Sequence, residues 1–65
     1  MFRNLEAEQA RMGFTNVHVA EILSLSRTSY EKKKKSGKFT AHECATLCDL
    51  FNCEFKYLFA TRSSA

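Results

Sequence analysis

The sequence predicts an all-α protein, a compact domain of five short helices. Three observations point there. The 65 residues contain no proline and two glycines, and 45% are hydrophobic, a composition that suits short helices around one core. Cys44, Leu47, Cys48 and Phe51 recur at i, i+3, i+4 and i+7, the period of a helix buried on one face, and no strand pattern competes with it. Serine and threonine stand ahead of the later apolar segments, where they can accept from the orphan N–H groups of a first turn.

The first helix is expected over residues 2–12, where Leu5, Glu6, Ala7, Glu8, Gln9, Ala10, Arg11 and Met12 are good helix formers. Gly13 follows as a left-handed terminator. Thr15 then caps a second helix over 16–23, with Phe14 and Val19 placed to staple its entry and Val19, Ala20 and Leu23 facing inward. After Ser24-Leu25, Ser26 caps a third helix over 27–35, and Leu25 stands where it can staple to Tyr30. Two short helices joined by a three-residue turn make a helix-turn-helix. Past Ser36-Gly37-Lys38, the sequence Thr40-Ala41-His42-Glu43 is a capping box opening a fourth helix over 40–51, with Phe39 and Cys44 as its staple and Asn52 as its terminator. A fifth helix over 54–59 is expected to turn Phe55, Leu58 and Phe59 inward. Residues 1–60 then form one domain, and 61–65 are expected to be a frayed tail.

A chain of this length buries only about 60% of its unfolded surface, so its margin of stability is thin. No apolar run approaches the roughly 18 residues a membrane span needs, and no signal-peptide apolar region opens the chain. Three cysteines without a framework of spacings fit reduced thiols better than a secreted disulfide scaffold. A cytoplasmic protein is the expectation.

The net charge is +3, but its distribution is uneven. Arg27, Lys32, Lys33, Lys34, Lys35 and Lys38 face one acid, Glu31, within a single stretch, while the rest of the chain is mildly acidic. One basic face on such a body suits a polyanion partner, although a solvated lysine run has the same composition. Other chemistry is poorly supported. His42 belongs to the outer side of the capping box, whereas Cys44 and Cys48 lie on its apolar stripe, so neither they nor Cys53 have structural zinc spacing. Small core residues is the favoured reading of these thiols. No thiol has an evident electropositive setting, no glycine-rich phosphate loop is present, and no carboxylate pair stands out. The expectation is therefore no enzyme, no metal, no cofactor and no small-molecule substrate. His18 is expected at the surface. Val17 and Ile22 lie off the inward face of the second helix, and Phe55, Tyr57 and Phe59 offer a second apolar patch.

Thr15, Val19-Ala20-Glu21, Leu23, Leu25-Ser26-Arg27-Thr28-Ser29, Phe39-Thr40, Glu43 and Tyr57-Leu58-Phe59 together resemble the lambda-repressor and Cro-like helix-turn-helix domains, the XRE family. The likeness covers about two-thirds of the chain, 15–59, and residues 4–13 look like that family's first helix. The resemblance implies a DNA-binding transcriptional regulator of phage-repressor type, in a bacterial or phage-infected cell, with the third helix in the major groove of double-stranded DNA and a homodimer as its assembly. It places Arg27, Thr28, Glu31 and Lys32 at base edges, and Asn16, Ser29, Lys35 and Lys38 at phosphates. Spacing agrees for the first set, since 27, 28, 31 and 32 share one face opposite Tyr30. Glu31 can accept from a cytosine amino group or orient Arg27 through an i,i+4 pair, the second being favoured. The alternative is a protein-interaction module on the same fold, antitoxin-like or co-regulatory, with DNA specificity lost. RNA is disfavoured because no aromatic residue interleaves with the basic run.

Two expectations come from departures. Ser24 stands where the resemblance implies glycine, so a positive φ there costs on the order of 1 kcal/mol. The lysine run occupies a turn where the family buries an aliphatic side chain. One lysine must then snorkel its ammonium to water, and the helix is expected to fray after about Lys33 in the free protein.

Overall fold

Local capping chemistry sets the helix boundaries in the computed structural model, which describes residues 1–61. The order is α1 (Arg3–Arg11), α2 (Asn16–Ile22), α3 (Arg27–Ser36), α4 (Ala41–Phe51) and α5 (Phe55–Leu58), and no strand occurs among the described residues. The expected tail begins at Thr61, which is half-buried; its other four positions lie outside the described residues. Among the described residues no helix is long and apolar enough to cross a membrane.

Thr15, Ser26 and Thr40 each accept a first-turn N–H, from His18, Ser29 and Glu43 respectively, all at 3.1 Å. Glu43 completes the capping box by accepting the Thr40 N–H at 3.0 Å. Asn52 closes α4 in the left-handed conformation, φ 52°. Gly37 closes α3 at φ 78°, a left-handed conformation that strains any residue with a Cβ.

The α3 backbone is helical beyond Lys33, where fraying was expected, and continues through Ser36 before Gly37 ends it. The reason lies in partners from other helices, described below.

Between α2 and α3 the chain reverses over Leu23–Ser26. The Ser24 N–H bonds the Glu21 carbonyl at 3.1 Å and the Leu25 N–H bonds that of Ala20 at 2.8 Å, a Schellman-like close. That close needs a left-handed residue, and Ser24 supplies it at φ 59°. Replacing Ser24 with glycine should therefore stabilise the fold by about 1 kcal/mol, raising Tm by about 4–8 °C on thermal unfolding. An unchanged or lower Tm would mean that the turn is not strained.

The core gathers Phe2, Leu5, Val19, Ala20, Tyr30, Leu47, Phe51 and Leu58 from all five helices and the first cap. Phe14, Leu23, Leu25, Phe39, Cys48, Leu50, Cys53 and Phe59 pack around it. Phe2, Phe39 and Phe59 form an aromatic cluster, with the Phe2 and Phe59 rings edge to face at 5.2 Å. One expectation is corrected at α5. Phe55, at the first position of the four-residue α5, is 58% exposed rather than inward. Its ring lies 5.1 Å from that of Phe59 instead.

Candidate nucleic-acid interface on the third helix

Tyr30 fixes the orientation of α3. It is fully buried, and its hydroxyl donates to Gln9 Oε1 on α1 at 2.7 Å. With Tyr30 inward, Thr28, Lys32 and Lys35 fall on the opposite side of the helix and are exposed, whereas Arg27, three residues before Tyr30 and on its side by spacing, is exposed at the first position of α3. Lys38 is exposed just past the C-terminal end, while Ser29 is half-buried, its Oγ accepting from Ser26 Oγ at 3.0 Å. Leu25 and Val19 pack in the core beside Tyr30, so α2 and α3 are held against each other through the capped turn.

The six cations of the basic stretch divide into two groups. Lys34 is buried, 7% exposed, with its ammonium bonded to Asn16 Oδ1 at 2.8 Å and Glu6 Oε1 at 3.1 Å. The same ammonium lies 4.8 Å from the centroid of the Tyr30 ring, within cation–π range. The inward lysine therefore does not snorkel to water but finds a carboxylate and an amide within the protein. Lys33 is also engaged, bonded to Glu43 Oε1 at 3.0 Å beside the α4 cap. Arg27, Lys32, Lys35 and Lys38 enter no ion pair among the described residues. Two lysines tie α3 to its neighbours, and four cations remain for a partner.

Asn16 and Glu31 were expected on the interface, and both prove to be half-buried and joined to each other. Asn16 Nδ2 donates to Glu31 Oε2 at 3.0 Å, and Asn16 Oδ1 accepts from Gln9 Nε2 at 2.9 Å as well as from Lys34. Glu31 makes no ion pair with Arg27; its partner comes from α2 instead of its own helix. A chain of bonds thus runs from Tyr30 through Gln9 and Asn16 to Glu31, with Lys34 and Glu6 joined at Asn16. Sequence reasoning missed Glu6, Gln9 and Lys34 as parts of this arrangement. The available signal was the aliphatic position occupied by lysine, which demanded a nearby acceptor.

Cys48 and Cys53 pack against the core, and Cys44 is half-buried beside Phe39 and Phe55. Burial pushes the Cys44 and Cys48 thiols up, away from the thiolate that nucleophilic or metal chemistry needs. Among the described residues no three His, Cys, Asp or Glu side chains converge as a metal site. His18 is exposed, its ring 4.6 Å from that of Phe14. Val17 and Ile22 are exposed on α2, and Tyr57 on α5. Compared with protein-family models, with curated proteins and with solved structures, the chain finds no match.

Proposed function

We propose that the chain is a double-stranded DNA-binding module whose α3 enters the major groove, in the manner of lambda-repressor and Cro-like helix-turn-helix domains. Within that class, the reading is a sequence-specific transcriptional regulator of phage-repressor type rather than an enzyme. One observation supports it above the others: Thr28, Lys32 and Lys35 are exposed along one side of α3, with Arg27 exposed at its start, while Tyr30 and Lys34 anchor the other side. A helix with one face fixed in the core and a basic face clear of it can be laid into a groove without unfolding anything. Arg27, at the N-terminal end, has the fork geometry to bond guanine bidentately. Lys35 and Lys38, with Ser29 as a neutral donor, would neutralise or bind phosphates and fix register.

The test is a salt titration of binding to a mixed-sequence DNA duplex, followed by fluorescence anisotropy. Phosphate contacts by Lys35 and Lys38 alone give a slope of log K against log salt of about −2, and the slope reaches about −4 if all four exposed cations neutralise phosphates. Lys38→Ala should reduce the slope by about 1 and weaken binding evenly across sequences, whereas Arg27→Ala should alter sequence preference. A slope near zero, or no binding at low salt, would overturn the reading in favour of a module that meets an acidic protein.

A further inference from the structure

We infer that Asn16 is a positioning residue that holds Glu31 as a hydrogen-bond acceptor for a cytosine amino group, so that specificity at one base pair is set from α1 and α2 as well as from α3. The inference rests on the DNA-binding reading above and goes beyond it by assigning a base and the residues that select it.

The donor and acceptor roles in the network are fixed by chemistry. A lysine ammonium only donates, so the Asn16 atom 2.8 Å from Lys34 Nζ must be its oxygen. The amide nitrogen is thereby turned toward Glu31, whose Oε2 it meets at 3.0 Å. Gln9 is locked in the same way. Its Nε2 lies 3.2 Å from the Phe14 carbonyl, which only accepts, and this leaves Gln9 Oε1 for the Tyr30 hydroxyl. Every member of the chain is committed, and the outermost member is a carboxylate held by one of its two oxygens.

The other oxygen, Glu31 Oε1, accepts no hydrogen bond among the described residues. Glu31 borders an open cavity of about 240 Å³ together with Asn16, Glu6, Lys34 and Lys35. On the helix it falls one turn after Arg27 and one position before Lys32, on the face that would meet the groove. A carboxylate fixed there needs a donor from the base edge. Cytosine offers one, its N4 amino group, whereas guanine presents two acceptors and thymine an acceptor with a methyl group. Adenine offers an amino group beside an acceptor nitrogen, which suits an amide better than a carboxylate.

Selection of bound sequences from a randomised duplex pool, run on the wild type, Glu31→Gln, Glu31→Ala and Asn16→Ala, tests the inference. The wild type should prefer cytosine at one position by about tenfold. Glu31→Gln keeps an oxygen on the Asn16 amide and turns an amino group to the base, so it should lose the cytosine preference in favour of bases that present acceptors, guanine or thymine. Glu31→Ala and Asn16→Ala should flatten the position while leaving the salt slope and the preference set by Arg27 intact. A Glu31→Gln selection identical to wild type would overturn the role of Glu31. Unchanged preference in Asn16→Ala would overturn the positioning role, and Glu31→Gln keeps the test decisive if the alanine variants fold poorly. Absence of salt-dependent duplex binding by the wild type would instead remove the DNA-binding reading itself, a distinguishable failure.

Discussion

Exchanging Lys34 for alanine is expected to lower stability by about 3 kcal/mol, a fall in Tm of roughly 12–24 °C for a chain of this size. The loss has two sources. Alanine removes the methylene stem that fills the space between α1 and α3 over the Tyr30 ring, and it opens a cavity beside a fully buried side chain. It also takes a donor from Asn16 and Glu6. The second source is the smaller one, since Glu6 has a side chain 57% exposed and can be hydrated, and Asn16 keeps its bond from Gln9. Lys34→Met separates the two, because methionine restores the volume without the charge. That variant should lie within about 1 kcal/mol of wild type, as a partly buried ion pair is often replaceable by a well-packed apolar side chain. Lys34→Glu should be worse than alanine, for it brings a third carboxylate against Glu6 and Glu31. Urea denaturation of the three variants checks the order. Equal losses for methionine and alanine would show that the ion pair, not the packing, anchors the helix.

The distinction between local and distant partners explains what could be read in the sequence. Thr15, Ser26, Thr40, Gly37 and Asn52 each act within a turn of their own position, and the helix boundaries they mark agree with the structure to within a residue or two. Ser24 was flagged only through the resemblance, which implies glycine there, and the left-handed φ of 59° agrees with it. The fate of the lysines was not readable in the sequence. Lys34 meets partners 28 and 18 positions away, and Glu31 meets Asn16 across 15. A pattern confined to α3 offered Glu31 only Arg27, one turn away, and left four adjacent lysines equivalent. Helix packing made them unequal by bringing Glu6 and Asn16 to one and Glu43 to another. Of the face read from spacing, Arg27, Thr28 and Lys32 are exposed and Glu31 is half-buried, and spacing alone separates only Thr28 and Lys32 from Tyr30.

The division of charge also bears on how α3 can work. A helix carrying four consecutive lysines would repel itself if all pointed to solvent. Here Glu6 and Glu43 remove two of those charges into the fold, and the same contacts tie α3 to α1 and α4. Neutralisation and anchoring are thus one arrangement.

Removing Glu43 should expose how much of this order depends on the α4 cap. The residue is 8% exposed, and its carboxylate accepts the Thr40 N–H and pairs with Lys33 through the same oxygen, Oε1. Glu43→Ala is expected to cost about 2 kcal/mol, combining half of a capping box with a partly buried charge pair. Glu43→Gln keeps the cap geometry and loses only the charge, so about 1 kcal/mol is expected at neutral pH. Acid should erase that second difference. Burial raises the Glu43 carboxyl, but the Thr40 N–H and the Lys33 ammonium outweigh it, and the group titrates below its ordinary 4.5. A carboxyl lowered in the folded state stabilises above its unfolded value and loses that contribution as pH falls through the folded one. The gap between wild type and Glu43→Gln should thus be constant down to about 4.5 and close below it. Glu8, whose carboxyl Arg11 and Tyr57 also lower, titrates in both proteins and cancels from the difference. Paired urea titrations at roughly pH 7 and pH 3 measure the gap directly, and one that persists in acid would mean that Lys33 gains nothing from the Glu43 charge.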